Sequence, residues 1–255
     1  MAILYVAAEA AELKPFADIL TGVRKLKWPL DYAFEGIWES RRILLAANGA
    51  GPKLAAQALE VAIRAGMVKE LSSSRLEAVV STGYCGALDP ALSEGQIVVA
   101  DRVISPASGE EFACVPVVAP DEFSVGSLLS QDSIVNEAVA KSRLFSTGAI
   151  AVDMEAAGVA ARAKRAQLPF CCIKVVSDRA DESFPFDLNA MRSAEGRIVR
   201  GKIVIHALKR PMLLGSLLRL RRRAESASKT LGEFLVSSRI VAEPIGSPGD
   251  TKTQP

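Results

Sequence analysis

Histidine is nearly absent: the 255 residues hold one, His206. That excludes a multi-histidine metal centre, and a Ser-His-Asp relay could draw on that residue alone. It falls in a helical pattern over Gly201–Lys209, where a solvated or helix-end imidazole is the plain expectation. Cysteine is scarce too. Cys85, Cys114, Cys171 and Cys172 form no C-x-x-C pair, so no zinc knuckle or dithiol redox motif is present. They read as reduced, mostly buried thiols of a cytoplasmic protein. No run of about 18 uncharged apolar residues occurs, and no transmembrane helix is expected. The first residues, MAILYVAAEAAEL, lack a basic segment and carry Glu9 and Glu12, so they do not read as a secretory leader. A net charge of +2, from 31 basic and 29 acidic residues, leaves no basic footprint for nucleic acid. Catalysis, if any, must rest on carboxylates, Ser, Lys, Arg or Cys.

What is present is a globular balance, 49% hydrophobic and 24% charged, in a length that suits one large α/β domain or two small ones. Ile3–Ala8 reads as a buried strand leading into a helix at Ala10–Leu20. Asp31–Glu39 and Arg41–Ala47 read as a strand pair. Asn48–Pro52 is a turn into a helix that runs to about Ala65. Leu76–Thr82, Gly95–Val103, Glu111–Val118, Gly148–Val152 and Pro169–Val176 read as strands. Helices fit Met154–Gln167, Leu188–Leu208 and Pro211–Val236. Residues 119–145 give no clear pattern, and the tail from about Ala242 reads as disordered. Strands alternating with helices predict an α/β fold, a mixed central sheet flanked by helices on both faces, with a C-terminal helical extension. The expected division is a domain over 1–210, a basic extension over 211–240 and a tail over 241–255.

Chemistry in such folds gathers where strand C-termini open into loops. Four places qualify: Ala8–Glu12, Asn48–Gly51, Thr82–Gly86 and Ser177–Asp181. Each has a bland reading. The glycines could serve turns only, Glu12 could be solvated, and Ser177-Asp178 could cap a helix.

Taken together they are more specific. AAEL at Ala10–Leu13, STGYCGAL at Ser81–Leu88, AIAVDMEA at Ala149–Ala156 and PFCCIKVVSDRAD at Pro169–Asp181 occur in that order. The chain resembles the purine nucleoside phosphorylase and nucleosidase superfamily over about residues 2–210, and within it the methylthioadenosine/adenosylhomocysteine nucleosidases most. The resemblance implies cleavage of a purine nucleoside at its N-glycosidic bond. It makes Asp178 the group that protonates or hydrogen-bonds purine N7 and Glu12 the base for the attacking water, with Glu9 in reserve. Glu155 would hold the ribose hydroxyls, Met154 would pack on the sugar and Ser177 would orient Asp178. Ile134 and Val135, in SQDSIV, would contact the base, and Ala50, Gly83 and Cys85 would line the pocket. It implies no cofactor and no metal, and a dimer or larger homo-oligomer.

Attack by water or by phosphate turns on cations. The first strand–helix loop carries carboxylates where related phosphorylases place an arginine. Lys174, which stands where the family has an arginine, and Arg179 are the basic residues near Asp178. Hydrolysis is the favoured expectation, with phosphate as a second substrate in the alternative. The segment Pro211–Arg223, PMLLGSLLRLRRR, has an apolar face at Leu213, Leu214, Leu217, Leu218 and Leu220 beside four arginines. It reads as a helix packed on the domain with a solvated face, or as a contact for an anionic membrane surface. Hopanoid-associated phosphorylases of the superfamily carry related basic extensions, which keeps a lipid-linked adenosine in view. A nucleoside-binding protein without catalysis would need Met154 and Glu155 but neither Glu12 nor Asp178.

Overall fold

The computed structural model describes residues 2–67, 76–184, 187–193 and 214–241. The strands are β1 (Ala2–Ala7), β2 (Thr21–Lys25), β3 (Tyr32–Trp38), β4 (Arg41–Ala47), β5 (Leu76–Ser81), β6 (Tyr84–Ala87), β7 (Ile97–Ser105), β8 (Glu110–Ala113), β9 (Val117–Val118), β10 (Ser124–Ser130), β11 (Ala149–Asp153), β12 (Phe170–Asp178) and β13 (Arg239–Ile240). The helices are α1 (Ala10–Ile19), α2 (Pro52–Met67), α3 (Ala138–Phe145), α4 (Ala156–Arg165) and α5 (Leu214–Ser237).

Eleven strands form one sheet in the order β2-β3-β4-β1-β5-β12-β6-β11-β10-β7-β8, and β9 pairs with β13 separately. β12 lies between β5 and β6 and also pairs antiparallel with β7. β1, β4, β5 and β12 run parallel, with Val6 opposite Ala46 and Ser81, and Cys172 opposite Ser81. Their C-termini therefore open on one side of the sheet, which is where the site forms.

Residue alternation along β1 sets the layers. Leu4 and Val6 join Ala55, Ala58, Leu59 and Ala62 of α2 and the alanines of α4 in one core. Ile3, Tyr5 and Ala7 join Leu13 and Phe16 of α1 and Ala227, Leu231, Phe234 and Leu235 of α5 in the other. Burying an aliphatic or aromatic side chain of this kind is worth ~1.5–3 kcal/mol, so α5 is part of the core. At Gly232 a Cβ would sit 2.9 Å from the backbone N of Phe16, and its absence lets α5 lie against α1. Among the described side chains of α5, the apolar ones that pack lie in this second half; Leu218 is 59% exposed.

Several elements differ from the sequence reading. α4 begins at Ala156, because the Asp153 carboxylate accepts the Ala156 N–H (2.9 Å) and Met154 and Glu155 stay outside the helix. Glu111–Val118 is split into β8 and β9, with Pro116, which has no N–H for a ladder, between them. Gly83–Gly86 is mostly strand β6, and 119–145 holds β10 and α3. β2 is wholly exposed, so its sequence shows no apolar alternation. Of the helix expected over Leu188–Leu208, the described residues show a single 3₁₀ turn at Asn189–Met191. The remainder, His206, residues 211–213 and the tail from 242 lie outside the described residues.

Candidate active site

β1 ends at Ala7, and the chain turns into α1 at Glu9. The Glu9 N–H donates to Glu12 Oε2 (2.7 Å), a reach back by the third helical side chain that closes the first turn. Glu12 Oε1 accepts the Tyr84 N–H (2.9 Å). These two bonds aim a carboxylate that is 3% exposed. Burial pushes its acidity toward the protonated form; the two backbone N–H groups and the more distant Lys174 pull the other way.

The end of β11 supplies Asp153, Met154 and Glu155. Glu155 Oε1 accepts the Gly51 N–H (2.8 Å). Burial pushes Glu155 up to about 7, with Lys174 opposing and Asp153 and Glu12 adding to the rise. Beneath them lies Lys174, fully buried, whose Nζ meets Asp153 Oδ2 at 2.7 Å, the Thr82 carbonyl at 2.9 Å and Glu155 Oε2 at 4.0 Å. Burial would lower the Lys174 pKa, but the carboxylates, Asp153 first, outweigh it and hold the ammonium charged.

β12 ends in Ser177-Asp178. Ser177 Oγ–H donates to Asp178 Oδ1 (2.6 Å) and lies 3.2 Å from the Cys85 carbonyl. Asp178 Oδ2 accepts from Lys141 Nζ at 2.5 Å. Lys141 also donates to the Arg179 carbonyl (2.6 Å) and stands 5.7 Å from the Phe184 ring centroid.

Glu12, Cys85, Ile134, Val135, Lys141, Met154, Glu155, Ser177 and Asp178 line one cavity of about 260 Å³, closed further by Tyr84, Phe184 and Leu188. That is near the ~300 Å³ lower end of small-ligand pockets. A larger groove, about 820 Å³, lies between Gly95–Ile97, Asp121–Phe123 and Thr230–Phe234. Its carboxylates, Asp121, Glu122 and Glu233, are all exposed, and it holds none of the buried ones.

The family model of the phosphorylase superfamily matches residues 3–122 and 118–203. This chain belongs to that superfamily. It is similar to the 5'-methylthioadenosine/S-adenosylhomocysteine nucleosidase of Staphylococcus aureus strain JH9, 24% identical over 175 residues that span 58% of this chain and 73% of the relative. Its fold is similar to that of the S. pneumoniae nucleosidase of the same name solved with a transition-state inhibitor, with a TM-score of 0.66 and 18% identity over 93% of this chain and 97% of that one. It is also similar to that of the futalosine hydrolase of Helicobacter pylori strain 26695, with a TM-score of 0.64 and 18% identity over 93% and 96% of the two chains. At these identities the structural likeness carries the fold.

Within this superfamily member, four expected residues stand elsewhere. Gly83 and Ala50 do not line the cavity: Gly83 backs onto Glu12, and Ala50 sits beside the Gly51 N–H that holds Glu155. Lys174 is under the floor, spent on Asp153 and Thr82. Arg179 is exposed and pairs with Asp181 at 3.0 Å. Glu9 contributes its backbone N–H, and Glu12 is the carboxylate at the cavity. Sequence reasoning missed Lys141, Tyr84, Phe184 and Leu188 as wall residues. Lys141 gives a local signal only in hindsight, as the one buried side chain of α3.

Proposed function

We propose that this chain hydrolyses the N-glycosidic bond of a purine nucleoside of the adenosine type. Membership of the superfamily makes it an enzyme acting on nucleosides. The names of its relatives, nucleosidases and a futalosine hydrolase, support hydrolysis of a purine nucleoside without fixing the 5′ substituent. The observation that carries the reading is the pair Glu12 and Asp178 on one small cavity, each with a different set of partners. Glu12 is held by two backbone N–H groups with no cation in contact. It can take a proton from water as that water attacks C1′. Asp178, held by Ser177 and Lys141, faces the departing base and serves the transfer of a proton to N7. Glu155 accepts from the sugar hydroxyls, and Met154 packs on the ring. Ile134 and Val135 face the base, with the Ile134 peptide held by Asn189 on both its N–H and its carbonyl, 2.8 and 2.9 Å.

Water is favoured over phosphate by charge. Among the described residues that line the cavity, Lys141 is the one cation, and it is paired with Asp178. Glu12 would repel an anion about 4 Å away by ~4 kcal/mol at an effective dielectric of ~20. The test is to incubate the protein with adenosine, methylthioadenosine, adenosylhomocysteine and inosine, with and without phosphate, and to follow base and sugar. Release of adenine and a free sugar without phosphate is expected. Strict dependence on phosphate, with a sugar 1-phosphate as product, would overturn hydrolysis. Retention of every nucleoside intact would favour the non-catalytic binding reading.

A further inference from the structure

Lys141 is the largest feature of the site that the sequence motifs do not account for. It is fully buried and lies on α3, an element outside every matched motif. It is also fixed in place. The α3 N-terminus is tied to the loop after β12, with Ala138 N–H donating to Ser183 Oγ (3.0 Å) and Phe184 N–H donating to the Asn136 carbonyl (2.9 Å). That loop carries Phe184, whose ring lies beside Nζ.

The consequence concerns the acid. Both oxygens of Asp178 accept: Oδ1 from the Ser177 hydroxyl and Oδ2 from the Lys141 ammonium. Each oxygen of the carboxyl group is thus engaged by a donor, and one of the two donors is an ammonium. The charged proton carrier in contact with it is Lys141, and Lys141 itself reaches the cavity.

We propose that the acid of this site is the Lys141–Asp178 pair, with Lys141 as the store of the proton that the base takes. The inference rests on the reading of Asp178 as the group at N7. As C1′–N9 breaks, its electron pair stays on the purine. A Lys141 N–H proton moves to Asp178 Oδ2, and Asp178 passes a proton to N7, so the purine leaves neutral. Water loses a proton to Glu12 and its oxygen bonds to C1′. Lys141 is left as the free amine, and the proton held by Glu12 returns to it through solvent. Lys141 is thus a positioning and proton-supplying residue that acts through Asp178.

The experiment compares Lys141→Met, Lys141→Arg and Asp178→Asn with the wild type. It reads kcat for adenine release from methylthioadenosine and Kd for a 7-deazapurine nucleoside, which has no N7 lone pair and reports pocket and sugar binding without proton transfer. Both Lys141 variants are expected to bind the 7-deaza nucleoside within about threefold of wild type and to lose kcat by ~10²-fold or more. Arginine keeps the charge and the donors but does not release a proton, so Lys141→Arg separates proton supply from charge. Recovery of kcat by arginine to within tenfold of wild type would overturn the proposal in favour of charge alone. Loss of 7-deaza binding by Lys141→Met would overturn it in favour of packing. Should arginine itself prevent 7-deaza binding, ethylammonium added to Lys141→Ala decides. Restored turnover supports proton supply, and none at saturating amine overturns it. Full activity of both Lys141 variants beside a dead Asp178→Asn would sink the Lys141 proposal alone, whereas full activity of Asp178→Asn would sink the underlying reading of Asp178.

Discussion

Glu12 and Gly83 are in contact with no side chain between them: a Cβ on residue 83 would lie 2.5 Å from Glu12 Oε1. The backbone at Gly83 also has φ +111, which L side chains rarely adopt. Gly83→Ala should therefore both strain the turn, by ~1–3 kcal/mol, and push the carboxylate off its two N–H donors. We expect a lower melting temperature together with a more than tenfold loss of kcat. An alanine variant with wild-type kcat would mean that the Glu12 position is not critical.

Glu12→Gln should cost far more than Glu9→Gln. The first removes the group that takes the water proton, a contribution of ~10²–10⁴-fold. The second leaves the Glu9 backbone N–H that Glu12 uses. Base release measured for both, with circular dichroism to compare folding, would reverse the assignment if Glu9→Gln proved the more damaging.

Glu155 sets a pH dependence with a definite sign. Its folded-state value of about 7 stands above its ordinary value of 4.5. Between the two, the folded protein binds more protons than the unfolded chain, so stability falls as pH rises through this window and levels off above about 7. Urea denaturation from pH 4.5 to 8 should show a decline of order 1–3 kcal/mol that is reduced in Glu155→Gln. If the ionised form holds the sugar hydroxyls, KM should rise as pH falls below about 7, and this rise should vanish in the variant. An unchanged KM profile in Glu155→Gln would remove Glu155 from sugar binding.

The C-terminal helix should behave as core. Phe234 is buried and stacks edge-on against Phe123 at 5.6 Å, so Phe234→Ala should cost ~3–5 kcal/mol. Deleting residues 212–255 should abolish the cooperative thermal transition, because Leu231, Phe234 and Leu235 leave the second core exposed. Within the fold Arg221 pairs with Glu225 (2.8 Å) and Arg223 with Glu94 and Glu182 (3.0 and 2.6 Å). A truncated chain that melts like the full one but no longer pellets with anionic vesicles would instead assign the segment to a membrane surface.

The parts of the fold legible in the sequence are those where burial is local and periodic. β1, β4 and β5 are apolar runs, and α2 repeats Ala55, Ala58, Leu59 and Ala62 on one face. The parts that were not legible depend on partners distant in sequence. β2 is a polar edge that exists through its pairing with β3. β6 is four residues held between β11 and β12. The same holds in the site. Asp178, Glu155 and Glu12 sit at strand ends with recognisable neighbours. Lys141 is one lysine in an undistinguished helix until the loop after β12 folds over it. Lys174 and Arg179 look alike in the sequence as cations near Asp178, but β12 is covered on both faces, which buries the first, and the loop exposes the second.

The place of β12 in the sheet has a consequence for how the molecule assembles. It is the last of the eleven strands to leave the ribosome, yet it is wedged between β5 and β6. Until it inserts, the half-sheet that carries Glu12 and the half-sheet that carries Glu155 have no strand in common. Pairings this remote along the chain close slowly, since the loop entropy is lost before the contacts form. A nascent chain therefore spends most of its synthesis with two unjoined sheet edges, and it becomes competent only when Phe170–Asp178 enters the gap, bringing Lys174 beneath the floor and Asp178 to the wall in one step.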